Sequence, residues 1–325
     1  MYSLPQKVFM ASTLLLPKLT RYTPKWLFYK LIEQLFLRLN KRYPIRRKNV
    51  PPITQENLSL EPKDSNIYIS VSFFYQTKQL WVSWVARLKN ADEFLSHALE
   101  SYLPFVDELI LVDNNSTDNT VEICENFLHR YPKKVKFYRY VPDVLHYGLD
   151  HFQNHTSPHS LAYYYNRCFA KATKSHVLKI DDDNIALPKP YEKLITKALT
   201  ENKPGFYATR GLNIFEKDGK LGAYGDFPYT GRYGDHGIYK ITPRTYYTQN
   251  NSSTEQLLYP YSRSSYEFAI LHLKQMKKAS FINITDPKLH AQRQTQQKEA
   301  KVSDFQNFIS ATEEKEVRGI LHTIL

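Results

Sequence analysis

The sequence predicts a mainly parallel, three-layer α/β domain. Strand-like and helix-like segments alternate from about residue 80 to residue 200, the order expected of βαβ units. Leu109-Ile110-Leu111-Val112 is apolar at every position, as in a strand covered on both faces. Two polar clusters, 113–120 and 181–184, follow directly on apolar strands, and ligands of open α/β sheets bind beyond the carboxyl ends of the strands.

The elements follow in order. Ile67 to Phe74 and Leu80 to Ala86 are rich in β-branched and aromatic residues and read as strands. Ala91, Phe94, Leu95, Ala98, Leu99 and Tyr102 fall at helical spacing, predicting a helix over 91–102. After the strand at 109–112, the polar run to Thr120 leads into a helix ending near Arg130. In that run Asn119 and Glu122 have the spacing of a capping box. Val135 to Tyr140 is a strand, 160–173 a helix, and His176 to Ile180 a strand that ends in the acidic run. Pro188 and Pro190 open a further helix, since proline is tolerated in the first turn. Crossovers between parallel strands are expected to be right-handed. Beyond 203, Gly205 to Arg210 and Leu212 to Phe215 read as two strands, and Asp218-Gly219 as a hairpin turn. Tyr224 to Tyr247 reads as loop, and Tyr266 to Lys277 as a helix or strand. Residues 287–325 read as a polar, helical tail. The expected division is a basic, partly helical arm over 1–60, the α/β domain over 61–285 and a helical tail over 286–325.

Charge separates the arm from the rest. The 325 residues carry a formal net charge of +12. Residues 1–50 hold 11 Lys and Arg against one acid, Glu33, whereas the remaining 275 residues hold 33 basic and 31 acidic groups. An amphipathic stretch that mixes Trp26, Leu27, Leu31 and Leu35 with Lys25, Lys30 and Arg38 suits contact with an anionic membrane face, each cation contributing about 1 kcal/mol near such a surface. The balanced charge of the remainder argues against a wide basic groove for nucleic acid. Cys124 and Cys168 both fall in expected helices, so no disulfide framework is indicated and a reducing, cytoplasmic setting is expected. The apolar run at 14–16 is cut by Pro17, too short for a membrane span.

The chemistry centres on Asp181-Asp182-Asp183. Three adjacent carboxylates at a strand end repel one another and call for a counter-charge. Their hard oxygens suit Mg²⁺ or Mn²⁺, with phosphate oxygens and water completing the coordination. The bland alternative is a solvated cap for the helix at Pro188. Asp113, ending the strand at 109–112, is placed to accept hydrogen bonds from a ribose hydroxyl or a base N–H. His272, on the apolar stretch Leu271-His272-Leu273-Lys274, is a candidate metal or diphosphate contact; a satisfied core histidine is the plainer reading.

These motifs resemble family 2 glycosyltransferases with the GT-A fold. The resemblance rests on the first strand running into Arg87-Leu88-Lys89-Asn90-Ala91-Asp92-Glu93, on Val112-Asp113-Asn114-Asn115-Ser116-Thr117-Asp118, on Tyr165-Asn166-Arg167, and on Asp181-Asp182-Asp183-Asn184. It spans about residues 78–200. It implies a single GT-A domain with helical extensions at both ends. Asp181 and Asp183 would form the metal-binding DxD pair. Asp113, Asp182, Asn166 and Arg87 would stand at the nucleotide sugar. Where the family opens a Pro-x-x-Asn turn, this chain has Arg87-Leu88-Lys89-Asn90. The expected reaction is a metal-dependent, inverting sugar transfer from a nucleotide-sugar donor, a UDP-sugar by preference, to a glycan or lipid-linked acceptor. The family context implies lipopolysaccharide or capsule synthesis at the inner face of the cytoplasmic membrane.

An inverting transfer requires a general base, which typically contributes about 10²–10⁴-fold. The family's Glu-Asp pair is absent. Asp235, in Tyr233-Gly234-Asp235-His236-Gly237, is the first candidate, with Asp226 and Glu267 as alternatives. Two other functions compete. A nucleotidyltransferase requires a glycine-rich phosphate loop, and residues 81–95 contain no glycine. A nucleic-acid-binding protein would have to act through the basic arm alone.

Overall fold

The computed structural model of the protein describes residues 81–144, 158–202, 205–225, 229–230, 236–241, 245–249, 255–258, 267–277, 291, 295 and 301–325. The basic arm and the strand expected at Ile67 to Phe74 lie outside them. Among the described residues no helix is long and apolar enough to cross a membrane.

The first half is the parallel α/β unit expected. Strand β1 (Val82–Leu88) pairs in parallel with β2 (Glu108–Asp113) and with β4 (His176–Lys179), and β2 pairs in parallel with β3 (Val135–Arg139). The spatial order is therefore β3-β2-β1-β4, and all four carboxyl ends share one edge. Helix α1 (Asp92–Tyr102) connects β1 to β2, and α2 (Thr120–Arg130) connects β2 to β3. Helix α3 (Leu161–Phe169) precedes β4, and α4 (Pro188–Glu201) follows the short β5 (Asn184–Ala186).

The period-two alternation of these strands builds the three layers. Trp84, Leu109 and Leu111 join Leu95, Leu99, Phe127 and Leu194 in one apolar cluster, on the side of α1, α2 and α4. Their neighbours Val85, Ile110 and Val112 join Tyr164, Cys168 and Phe169 of α3 in another. This is why 109–112 of β2 reads as an unbroken apolar run: both faces are buried. Each fully buried side chain of this kind contributes about 1.5–3 kcal/mol. Trp84 also uses its polar edge, the indole N–H donating to the Ile180 carbonyl at 3.2 Å. Cys124 and Cys168 are free and buried.

The second half departs from expectation at several points. Gly205 to Phe215 is a single strand, β6 (Phe206–Lys217), where two were expected. Gly211, which looks like a break, is instead where another strand crosses. A Cβ there would lie 2.0 Å from the Ile270 carbonyl oxygen, so only glycine fits. The hairpin is as expected: β6 turns through Asp218 (φ 53°) and Gly219 (φ 73°) into β7 (Lys220–Tyr224). Two successive left-handed residues match the twist of the strands they join. The stretch expected as loop holds β8 (Tyr229–Thr230), β9 (Gly237–Lys240) and the start of β10 (Tyr246–Gln249). β9 stitches the halves together, antiparallel to both β4 and β6. β10 pairs with β11 (Glu255–Leu258) in a separate two-stranded sheet.

Tyr266 to Lys277 resolves into a strand, β12 (Glu267–His272), parallel to β6 and antiparallel to β5. The carboxyl-terminal residues are more than a polar tail. β13 (Val302–Ser303) pairs with β7. Phe305, Phe308 and Ile309, with Val317 and Leu321 of α5 (Ala311–Ile324), are buried in the main core. Helix α5 begins with a reciprocal capping box between Ser310 and Glu313.

Candidate functional site

The carboxyl edge of the parallel strands gathers the predicted residues. Asp113 closes β2, Arg87 and Leu88 close β1, and Asp181 follows β4. β1 lies between the other two, so the polar clusters stand about two strand spacings, roughly 10 Å, apart.

Around Asp113 the polar run is mostly occupied by its own loop. Asp113 is fully buried. Its carboxylate accepts from the Ser116 amide at 3.3 Å and faces Arg139 Nε at 3.6 Å. Asn114 donates to the carbonyls of Tyr140 and Pro142 and accepts from the Val144 amide. The expected Asn119–Glu122 capping box does not form. Asn119 stands at the N-cap without a side-chain cap, and its amide points to Asp92. Asp118 takes over, one oxygen accepting from the Thr120 amide at 3.0 Å and the other from the Asp92 amide at 3.1 Å. One carboxylate thus ties together the starts of α1 and α2, suited by the positive ends of both helices.

The acidic triplet forms the turn between β4 and β5, closed by the Asn184 amide donating to the Asp181 carbonyl at 3.3 Å. Strand β12 ends beside it, the Leu273 amide donating to the Asp183 carbonyl at 2.7 Å. Its three carboxylates meet different partners. Asp181 accepts a short hydrogen bond from Arg87 Nη2 and pairs with His236 Nε2 at 3.1 Å. Asp182 pairs closely with Lys277 Nζ. Asp183 pairs with Lys277 Nζ at 3.2 Å, and its other oxygen lies 3.5 Å from His272 Nε2 and accepts from the Asn184 side-chain Nδ2 at 3.1 Å.

These partners decide the charge state. Burial works against ionisation of Asp181, but Lys179, His236 and Arg87 hold it well below the usual carboxylate range. Burial likewise opposes Asp183, and Lys277 and His272 hold it well below that range. Burial pushes Asp182 up to about 6, against the pull of the Lys277 ammonium, with Asp183 and Asp181 adding to the rise. Despite burial, Asp182 and Asp183 hold the Lys277 ammonium above its ordinary value. Burial drives His236 down to about 4 against the pull of Asp181. Asp181 is the most open member, 34% of its side chain exposed against 14% for Asp182 and 7% for Asp183.

Arg87 and Asn166, the other two expected nucleotide contacts, both have partners within the protein. Arg87 is sunk beneath the edge, its guanidinium 4.2 Å from the Tyr165 ring centre and 5.4 Å from that of Phe169, with Asp181 as its charge partner. Asn166 is spent at both ends: its amide donates to the Tyr247 carbonyl at 2.8 Å and accepts from the Tyr247 amide at 2.7 Å. It clamps β10 onto α3. Arg87 thus braces Asp181, and Asn166 fastens β10.

Among the base candidates, Asp235 and Asp226 lie outside the described residues. Glu267 opens β12, whose other end, His272, meets the triplet; five residues of strand separate them by about 16 Å. The glycine after Asp235-His236 also has a packing reason. A Cβ at Gly237 would lie 2.4 Å from the Tyr207 carbonyl oxygen, so β9 could not approach β6.

The donor chemistry of Asp181, Asp183 and His272 fits a hard divalent ion. His272 Nδ1 pairs with Asn213 Oδ1 at 2.6 Å. That second partner orients the ring with Nε2 toward Asp183, as outer partners orient metal-binding imidazoles. The pose itself is satisfied by the protein's own cations: among the described residues no three His, Cys, Asp or Glu side chains form a ready ligand cage. Sequence reasoning missed Lys277, His236 and Asn213. Only His236 carried a signal, as the neighbour of Asp235 between two glycines.

The comparisons agree with the fold's first half. The model of the family described as Glycosyl transferase family 2 matches residues 83–141, from β1 to just past β3. Over these residues the chain is similar to that family. EpsE of Bacillus subtilis (strain 168), which its name assigns provisionally to the glycosyltransferases, is 27% identical over 145 residues, 44% of this chain and 46% of its own length. The chain thus spans a little under half the length of that curated relative. Among solved structures, S. aureus TarS 1-349 in complex with UDP aligns over 65% of this chain and 68% of its own at 12% identity, with a TM-score of 0.36. Glucosyl-3-phosphoglycerate synthase from Mycobacterium tuberculosis, in complex with Mn2+, UDP-Glc and phosphoglyceric acid, aligns over 46% of this chain and 49% of its own at 19% identity and a TM-score of 0.29. At TM-scores below 0.5 neither superposition identifies a fold or a ligand for this chain.

Proposed function

We propose that the protein is a metal-dependent, inverting glycosyltransferase that moves a sugar from a nucleotide-sugar donor, a UDP-sugar by preference, to a glycan or lipid-linked acceptor. The observation that carries this reading is the placement of Asp181 and Asp183 at the end of β4, on the same edge as the buried Asp113, in a chain whose β1–β3 segment matches family 2. Asp181, Asp183 and His272 would hold Mn²⁺ or Mg²⁺. Bound there, the ion supplies charge neutralisation for the diphosphate as it leaves. The acceptor hydroxyl oxygen bonds to the anomeric carbon as the bond from that carbon to the diphosphate oxygen breaks, and the hydroxyl proton passes to a carboxylate base. Asp235 is the assigned base, because the next residue, His236, reaches Asp181. Asp182 is assigned to the sugar or ribose and Asp113 to the nucleoside. The acceptor pathway, lipopolysaccharide or capsule, and contact of the basic arm with an anionic membrane belong to the same proposal.

The test is nucleoside diphosphate release from a panel of nucleotide sugars, with Mn²⁺ or with chelator. Asp183→Asn is expected to lower metal-dependent turnover at least about a hundredfold, the scale of losing one electrostatic stabiliser. Full activity in Asp183→Asn, or undiminished turnover of the wild type in chelator, would overturn the metal assignment.

A further inference from the structure

Lys277 is the least expected member of the site. It follows β12 by five residues, across a turn closed by the Met276 amide donating to the Leu273 carbonyl at 2.8 Å. Leu273 is in turn fastened to the Asp183 carbonyl. This backbone staple delivers the Lys277 ammonium between Asp182 and Asp183, with 13% of the side chain exposed. An ammonium buried so far is stable only when paired. Its contact with Asp183 Oδ2 also covers an oxygen of the carboxylate assigned to the metal.

We propose that Lys277 is a built-in counter-ion of the acidic triplet: it neutralises Asp182 and Asp183 in the metal-free protein, and a divalent ion has to displace it from Asp183 in order to bind. The inference rests on the metal reading of Asp181 and Asp183 given above. Three adjacent carboxylates without such a cation would repel one another across a buried turn. With it, the turn is assembled before any ligand arrives. The cost is competition, since ammonium and metal ion seek the same oxygens. Lys277 thereby sets the metal affinity and keeps the triplet from holding an ion tightly in the absence of donor.

The experiment measures Mn²⁺ binding to the full-length chain without donor, by titration calorimetry and by the electron paramagnetic resonance signal of free Mn²⁺. Lys277→Met keeps the apolar stem and removes the charge. It is expected to bind Mn²⁺ on the order of tenfold more tightly than wild type, and to melt lower than wild type in chelator with recovery on adding Mn²⁺. Lys277→Arg, which retains the charge, is expected to stay near wild type. Should the variants fold poorly, wild type alone suffices: Mn²⁺ is expected to raise acetylation of Lys277 by acetic anhydride severalfold, read by peptide mass spectrometry, as the ammonium leaves its carboxylates. Unchanged or weaker Mn²⁺ binding in Lys277→Met, or labelling insensitive to Mn²⁺, overturns the counter-ion role while leaving the metal reading intact. If neither wild type nor Lys277→Met binds Mn²⁺, the metal reading fails and the proposal fails with it.

Discussion

The two edges of the parallel sheet use the same chemistry to opposite ends. At the amino edge, Glu108 opens β2 as a single buried carboxylate. It accepts from Ser83 Oγ at 2.6 Å, from the Thr173 amide at 2.8 Å and hydroxyl at 2.9 Å, and pairs with Lys136. Burial works against its ionisation, but Lys136, Ser83 and Thr173 hold it below its ordinary value. At the carboxyl edge, three carboxylates share Arg87, Lys277, His236 and His272. The amino edge sets one carboxylate among neutral donors and a single, largely solvated ammonium, Lys136. The carboxyl edge is built from charges held by charges, and Lys277 reaches it on a long flexible stem. A buried acid with neutral donors is a structural clamp; buried acids balanced by side-chain cations form a site whose cations can be exchanged.

The largest effects should separate the edges by kind. Glu108→Gln is expected to cost about 3 kcal/mol of stability, because it strands donors and a cation arranged for a carboxylate. Turnover per folded molecule should stay within twofold of wild type. Asp183→Asn is expected to do the reverse, lowering turnover while shifting the melting temperature far less. Chemical denaturation beside nucleoside diphosphate release reads both. A Glu108→Gln protein that folds normally but loses turnover would erase the distinction.

How much of this was legible in the sequence follows the same division. The central strands β1, β2 and β4 were readable because both faces of each are buried, leaving apolar runs such as 109–112 with sharp polar ends. The hairpin at Asp218-Gly219 was readable because its geometry needs those residue types locally. The acidic triplet was readable because its members are adjacent. Its partners were not. Arg87 and Lys277 lie 94 and 95 residues from the carboxylates they meet, and a lone lysine after a strand carries no period or spacing. Asn166 looked like a ligand contact because its motif was familiar, yet its amide closes on a backbone 81 residues away. Gly211 looked like a break between two strands, but it and Gly237 accommodate the backbone of a neighbouring strand. Local chemistry shows in a sequence; pairings between distant strands appear only once the sheet is assembled.

Acid sensitivity sharpens the comparison at intermediate size. At the amino edge, His176 opens β4 fully buried, its Nδ1 2.9 Å from Ser175 Oγ, and burial with Lys240 nearby pushes it down to about 4. The unfolded chain takes up a proton near pH 6.5 that the folded protein refuses until about pH 4. Stability from this group is therefore present above pH 6.5 and lost as pH falls through that window, on the order of 3 kcal/mol in all. Asp182 has the opposite sign. Its folded value near 6 lies above the ordinary 3.8, so the folded protein holds a proton that the unfolded chain has released, and stability is lost as pH rises toward 6. Melting temperatures between pH 4 and 7 should accordingly show a flatter acid loss in His176→Gln and a steeper one in Asp182→Asn. Equal slopes in the two variants would mean that the edges do not differ in charge logic.

The smallest effect concerns the two lysines. Lys136 and Lys277 each pair closely with a buried carboxylate, but 44% of the Lys136 side chain is exposed against 13% for Lys277. Solvent screens the first pair, and Glu108 keeps its Ser83 and Thr173 donors when the lysine is gone. Lys136→Met is therefore expected to cost about 1 kcal/mol or less, a small shift in the denaturation midpoint, and to leave Mn²⁺ affinity unchanged. Lys277→Met should destabilise the metal-free chain more, because it leaves adjacent buried carboxylates facing one another. If Lys136→Met proved the more damaging of the two in chelator, exposure would not be what distinguishes a clamp from an exchangeable counter-ion.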